Sequence, residues 1–228
     1  MNPADLTPVA QDYLKAVWSE LEWVPARAKV STGRLAERLG VGPSTASETV
    51  QRLSDQGLLD YEPYRGVGLT ERGRAYALVM VRRHRLLETW LVQGLGYAWD
   101  EVHDEAERLE HAVSELLIER LDALLGHPVR DPHGDAIPTG DGQVVRPDAV
   151  PLASLAAGES GVVARISDAD PGDLRLLASL GIALDAAVSV TAHLPRRDAV
   201  ALTWSHSGVA GSGEVDARAA SRVWVTRA

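Results

Sequence analysis

A mainly α-helical chain with β structure towards its C-terminus is predicted by three observations. The first third runs helix, turn, helix and then a short hairpin. The middle third carries two long stretches of helix-period apolar residues. The last third breaks into short β-rich runs around a single helix. The expected domains are a winged helix-turn-helix over 1–73, a helical unit with a linker over 74–148, and a small β-barrel of SH3 type over 149–228.

The first helix follows from Val9, Tyr13, Leu14, Val17, Trp18 and Leu21, which recur at three- and four-residue steps. VPARAKV breaks it. Ser31 or Thr32 can cap a second helix, TGRLAERLG, which ends at Gly40. After the turn GVGP, Ser44 or Thr45 begins a third, STASETVQRLSDQG, stopped by Gly57. Leu58, Leu59 and Leu69 suit two short strands joined at Gly66. Helix, turn, helix, hairpin is the winged helix-turn-helix order, and double-stranded DNA is the partner that order fits. Its third helix would present Ser44, Thr45, Ser47, Glu48 and Gln51 to base edges and phosphates. Arg52, Arg72 and the wing residue Arg65 would meet the DNA backbone, with Arg65 the first choice among them.

Residues 74–97 predict one long helix and 104–126 another. In the second, Leu109, Val113, Leu116, Leu117, Leu121 and Leu124 form one apolar seam. Two such faces beside a small DNA-binding module predict a homodimer. Between His127 and Asp148 the text HPVRDPHGDAIPTGDGQVVRPD reads as a linker or long loop. The β-rich runs are SGVVARI, AVSVTAHL, DAVALTWS and SRVWVT. The helix among them is capped by Asp168 or Asp170, with Pro171 in its first turn and Gly181 at its end.

Composition narrows the function. The net charge of −9 argues against a protein that coats nucleic acid nonspecifically. That charge is uneven: residues 75–150 hold seven basic against fourteen acidic side chains, while residues 1–74 hold nine against ten. A local basic patch on the N-terminal third is therefore compatible with the total. Cysteine is absent, which excludes disulfides, thiolate catalysis and zinc–thiolate sites. No apolar run is long enough to cross a bilayer. The first residues lack the basic start and apolar stretch of a signal peptide, so a cytoplasmic location is expected.

Residues 102–111, VHDEAERLEH, pack two histidines and four acids into ten positions. Helical spacing puts Glu107, Glu110 and His111 on one face, with His103 one turn earlier. His84 and Glu88 form a similar i, i+4 pair in the preceding helix, and Asp12 stands among apolar residues of the first helix. Each alone is an ordinary surface charge; together they suggest a metal site of oxygen and imidazole donors. A di-metal carboxylate enzyme is a competing reading, but no acid–base pair is left over for catalysis and the winged helix would be unexplained. A metal-independent winged-helix repressor is another.

The stretches TPVAQDYLKAVW, RLAERLGVGPSTASETVQRLSDQGLL, YEPYRGVGLTERG, RRHRLLETWL and VHDEAERLEH make the chain resemble the diphtheria toxin repressor family of metal-dependent transcription regulators. The likeness covers essentially the whole chain and is nearer to the manganese transport regulators. It implies a FeoA-like third domain and two adjacent metal positions. One would use Asp12, Glu107, Glu110 and His111. The other would use His84, Glu88 and His103, with Asp170 and Asp173 from the C-terminal domain. Iron-responsive relatives carry methionine and cysteine where this chain has Asp12 and Glu107. Manganese regulators without the third domain carry glutamate where this chain has Lys15. Carboxylate-rich donors suit Mn(II) first and Fe(II) second, with Co(II) or Zn(II) as substitutes in vitro. The implied function is metal-dependent repression of uptake genes, with an iron-responsive repressor as the alternative.

Overall fold

A computed structural model describes residues 5–24 and 28–228. The centre of the expected break at VPARAKV lies outside these residues. The chain divides into two compact units. One comprises Met1–His84, Glu110–Ala112 and Pro138–Val144; the other comprises Arg85–Leu109, Val113–Ile137 and Val145–Ala228.

In the first unit, α1 spans Pro8–Leu21, with Pro8 in its first turn and the Thr7 side chain accepting from the Ala10 amide. α2 (Thr32–Leu39) starts at the Ser31 cap and ends on Gly40 in the left-handed conformation. α3 spans Pro43–Asp55. Its cap is Gly42, without a side-chain bond, so the helix begins one residue before the expected Ser44. β1 (Leu59–Glu62) and β2 (Gly66–Leu69) pair antiparallel, Leu59 opposite Leu69 and Glu62 opposite Gly66. Val30 adds a bridge to Val67. Leu14, Val17, Leu35, Val50, Leu53, Leu58, Val67 and Ala77 form the core. α4 spans Glu71–Leu95 and starts beneath the hairpin. A Cβ on Gly73 would collide with the Leu58 carbonyl, so only glycine lets the helix approach this closely.

In the second unit the predicted helix over 104–126 is two helices, α5 (Val102–Leu109) and α6 (Glu115–Leu124). The break has a local cause. Ser114 caps α6 by accepting from the Leu117 amide, 3.2 Å away, and competes with a continuous helix. The expected single seam is divided accordingly. Ile118 and Leu121 enter a core with Leu86, Leu87, Leu91, Val102, Ala106 and Ile137. Leu116, Leu117 and Leu124 remain exposed. The stretch expected as a linker or long loop has no named helix or strand, and within it Asp131 and residues 133–138 are buried. Gly134, at φ 90°, lies so close to the Ala164 carbonyl that no side chain would fit.

The C-terminal part is a six-stranded antiparallel sheet of order β3-β8-β4-β5-β6-β7. Its strands are β3 (Ala149–Pro151), β4 (Ser160–Ile166), β5 (Ala187–Leu194), β6 (Ala199–His206), β7 (Val209–Asp216) and β8 (Val223–Arg227). α7 (Pro171–Leu180) and α8 (Ala217–Ser221) pack with its apolar face around Val163, Ile166, Leu174, Leu177, Leu202 and Val225. β7, VAGSGEVD, gave no strand signal in the sequence because its glycines blur the alternation.

Candidate metal centres and nucleic-acid interface

In the first unit α1 supplies Gln11, Asp12 and Lys15, the end of its α4 segment supplies His84, and the turn after α5 supplies Glu110 and His111. Glu110 and His111 are not on the helix that the spacing rule assumed; α5 ends at Leu109. Glu110 is fully buried. One of its oxygens lies 2.6 Å from Lys15 Nζ and the other 2.6 Å from His84 Nδ1. Burial opposes its charge, yet His84 and Lys15 together hold the carboxyl below its ordinary range.

His111 sits between an amide and two carboxylates. Its Nδ1 is 2.8 Å from Gln11 Oε1, while the Gln11 amide nitrogen donates to the Leu6 carbonyl at 3.1 Å. That second bond fixes the amide orientation, so Nδ1 carries the proton. Nε2 lies 2.9 Å from Asp12 Oδ1 and 3.7 Å from Glu110 Oε1. An imidazole nitrogen facing two carboxylates calls for a cation or a proton between them. Asp12, Glu110 and His111 place one donor atom each within 4.8 Å of the others, the compactness of a ligand set.

The second unit gathers a further set of acids and imidazoles around Glu88 on α4. His103 Nδ1 is 3.3 Å from Glu88 Oε1 and 3.2 Å from Asp168 Oδ2, and its Nε2 is 3.6 Å from Glu107 Oε1. Burial opposes the imidazolium, but Asp168 and Glu88 outweigh it and push His103 up to about 10. Asp168 moves the opposite way, well below the carboxylate range, because His103 overcomes its burial. On the other side of Glu88 stand Asp131 and His133, from the segment read as linker. His133 Nε2 donates to the Trp99 carbonyl at 2.7 Å, and its ring stacks on Trp99. That leaves Nδ1 buried without a hydrogen bond, 3.8 Å from Glu88 Oε2. Burial, then the Asp135 and Glu88 carboxylates, push Asp131 up to about 7. Asp135 itself is held low, against burial, by Arg165 at 2.6 Å and Arg85. Glu88, His103 and Asp168 form one compact donor set and Glu88, Asp131 and His133 another. His133, locked through Nε2 with Nδ1 turned to Glu88, has the form of a metal-binding imidazole, and His103 brings three carboxylates around one ring.

Two expected ligands are placed elsewhere. Asp170 caps α7 through the Gly172 amide, and it and Asp173 take bonds from Arg218 and Arg222 at 2.6–3.3 Å. Asp168, two residues earlier, is the acid that reaches His103; the sequence offered it only as an alternative cap. His133 and Asp131 were missed because Pro and Gly around them read as loop. The run DPHGD, a histidine between two acids at residues 131–135, was the available signal.

The predicted DNA-facing positions on α3 are accessible. Ser44, Thr45, Glu48, Gln51 and Arg52 are exposed and Ser47 is half-buried. Gln51 donates to Asp55 at 2.9 Å. At the wing, Arg65 is exposed and 3.0 Å from Glu62. Arg72 Nη1 is 3.4 Å from the Gln56 carbonyl.

Three family models match. Residues 5–67 match the N-terminal DNA-binding domain of iron-dependent repressors, 70–139 their metal-binding and dimerisation domain, and 150–227 the FeoA domain. The iron-dependent repressor IdeR of Mycobacterium tuberculosis is 36% identical over 203 residues, covering 82% of this chain and 85% of its own. The diphtheria toxin repressor of Corynebacterium efficiens is 39% identical over 137 residues, 59% of this chain and 57% of its own. Among solved structures, a manganese-dependent transcriptional repressor in complex with manganese is 52% identical, with TM-score 0.91, covering 96% of this chain and all of that one. The repressor ScaR with bound Cd2+ is 27% identical with TM-score 0.79, covering 96% and 99%.

Proposed function

From the premise that the chain belongs to the diphtheria toxin repressor family of metal-dependent transcriptional repressors, we propose that it is a manganese-responsive homodimer acting in the cytoplasm on metal-uptake genes. The observation that carries the metal reading is His111. Its Nδ1 donates to Gln11 and its Nε2 faces Asp12 and Glu110. Asp12, Glu110 and His111 would hold one ion in the first unit. Glu88, His103, Asp168, Asp131 and His133 would hold metal in the second, with Glu107 beside His103 as a further donor. The family's solved relatives include one named as a complex with manganese and others with Cd2+ and Zn2+. Oxygen and imidazole donors without thiolate favour Mn(II), with Fe(II) next and Co(II) or Zn(II) as substitutes.

A bound divalent ion supplies positive charge that offsets the mutual repulsion of these carboxylates. Within the first unit, Asp12 lies on α1 of the DNA-binding module, while Glu110 and His111 come from the turn after α5. Closing Asp12 onto that turn fixes the orientation of α3. In a dimer it would set the two recognition helices about 34 Å apart, one turn of duplex. Ser44, Thr45, Ser47, Glu48, Gln51 and Arg52 would read the groove, and Arg65 would meet phosphate. The exposed leucines of α6 support the dimer. No helix of the described residues is long and apolar enough to cross a membrane.

The test is operator binding by the purified protein in chelator, then with Mn(II), Fe(II), Co(II) or Zn(II) restored singly. Binding that needs metal, with saturating Mn(II) giving the fullest operator occupancy, is expected, because geometry rather than raw affinity separates these ions. Equal binding in chelator would overturn metal dependence, and fuller operator occupancy with saturating Fe(II) than with saturating Mn(II) would transfer the assignment to iron.

A further inference from the structure

The tip of the wing carries a residue that its own fold does not explain. The Arg65 amide donates to the Glu62 carbonyl at 3.0 Å, closing a four-residue turn with Pro63 and Tyr64 at its centre. Tyr64 has φ 67°. Proline holds the first central position near φ −65°, so the positive φ at the second makes this a type II turn. That position ordinarily takes glycine or asparagine, because a Cβ there crowds the backbone. Tyrosine is among the poorer choices, and Gly66 stands only two residues away in the same hairpin. The strain is not repaid by packing. Tyr64 is 107% exposed, while Tyr61, three residues earlier on β1, packs against the core. A large aromatic held in a strained backbone and fully in water points to a contact made outside the chain.

We propose that Tyr64 is a DNA-contacting residue, laid by the type II turn against the sugar–phosphate edge of the groove flanking the α3 site. Three observations fix the partner as nucleic acid. The turn lies in the DNA-binding module, within the stretch that matches the family's DNA-binding domain. Its neighbour Arg65 is exposed and cationic, although partly neutralised by Glu62. The ring is amphipathic: its face suits the apolar edge of deoxyribose, and its hydroxyl can donate to a phosphate oxygen. Because Glu62 shares the Arg65 charge, an uncharged contact at the tip supplements what the arginine alone provides. The inference rests on the operator-binding reading and adds a residue to it.

The experiment uses the full chain, Mn(II), and a duplex selected from random sequence by the wild-type protein. Failure of the wild type to select a duplex would count against operator binding itself. Tyr64→Asn suits the positive φ and removes the ring. It is expected to keep the wild-type melting temperature or raise it, and to weaken duplex binding about tenfold, the scale of one lost groove contact. Hydroxyl-radical protection should disappear at the flanks and persist at the centre of each half-site. The salt slope should stay unchanged for Tyr64→Asn, since no charge is lost, and fall by about one for Arg65→Ala. Wild-type affinity and an intact flanking footprint in Tyr64→Asn would overturn the proposal. So would a lowered melting temperature in both Tyr64→Asn and Tyr64→Gly, which would make the ring structural.

Discussion

Lys15→Met removes a charge from the interior of the first unit while keeping most of the apolar stem. The ammonium lies 2.6 Å from Glu110 Oε1, with side chains 11% and 0% exposed. At an effective dielectric near 20, the gross attraction at that distance is about 6 kcal/mol, and desolvation of two buried ions cancels a large part of it. Deleting one partner of such a pair costs about 3–5 kcal/mol. His84 still holds the other oxygen at 2.6 Å, which places the cost near the lower end. A loss of about 3 kcal/mol lowers the melting temperature by about 6–12 °C in a chain of this size. The chelated protein should show this loss. With saturating Mn(II) the loss should shrink to about 1 kcal/mol, because the ion at Asp12, Glu110 and His111 supplies charge to the same carboxylate. By linkage, the difference of about 2 kcal/mol must appear as a gain of about thirtyfold in Mn(II) affinity. Thermal melts with and without metal, and a competitive chelator titration, measure both quantities. An equal melting loss in the two conditions, or weaker Mn(II) binding in Lys15→Met, would refute the reasoning.

Three further outcomes are expected. His133→Ala should lower the number of Mn(II) ions bound per chain, counted by metal analysis after equilibrium dialysis, while leaving the Asp12–Glu110–His111 donors intact; an unchanged count would remove His133 from the ligand set. Leu117→Glu with Leu124→Glu places charge on the exposed face of α6 and should convert the dimer to a monomer by light scattering, whereas a persistent dimer would locate the interface elsewhere. Asp170 has its carboxyl held at about 2 by Arg218 and the Gly172 amide, so its contribution is present above the unfolded value near 4 and is lost as pH falls from about 4 to 2. Asp170→Asn should therefore flatten the fall of the urea midpoint across that window, and a slope identical to wild type would show that the carboxylate does not couple to folding.

What the residue order determined by itself is the set of elements whose causes are local. Ser31 and Gly40 bound α2, Asp170, Pro171 and Gly181 bound α7, and apolar spacing marked α1. Caps and periodicity act within a few residues, so a reader of the text can see them. The donor types were legible for a related reason: without cysteine, only carboxylates and imidazoles remain. The contacts of the donors were not legible. Ser114 starts a new helix, and the turn before it carries Glu110 into a buried pair with Lys15 and His84. Asp168 rather than Asp170 or Asp173 reaches His103, because the arginines of and after α8 draw the later acids to themselves. His133 lay in a stretch that Pro and Gly made look like linker; it is buried beside Gly134, which lets the backbone press against the Ala164 carbonyl. Each of these depends on which distant groups compete for a charge or fill a space. That competition is settled by packing across tens of residues, where no local pattern records the result.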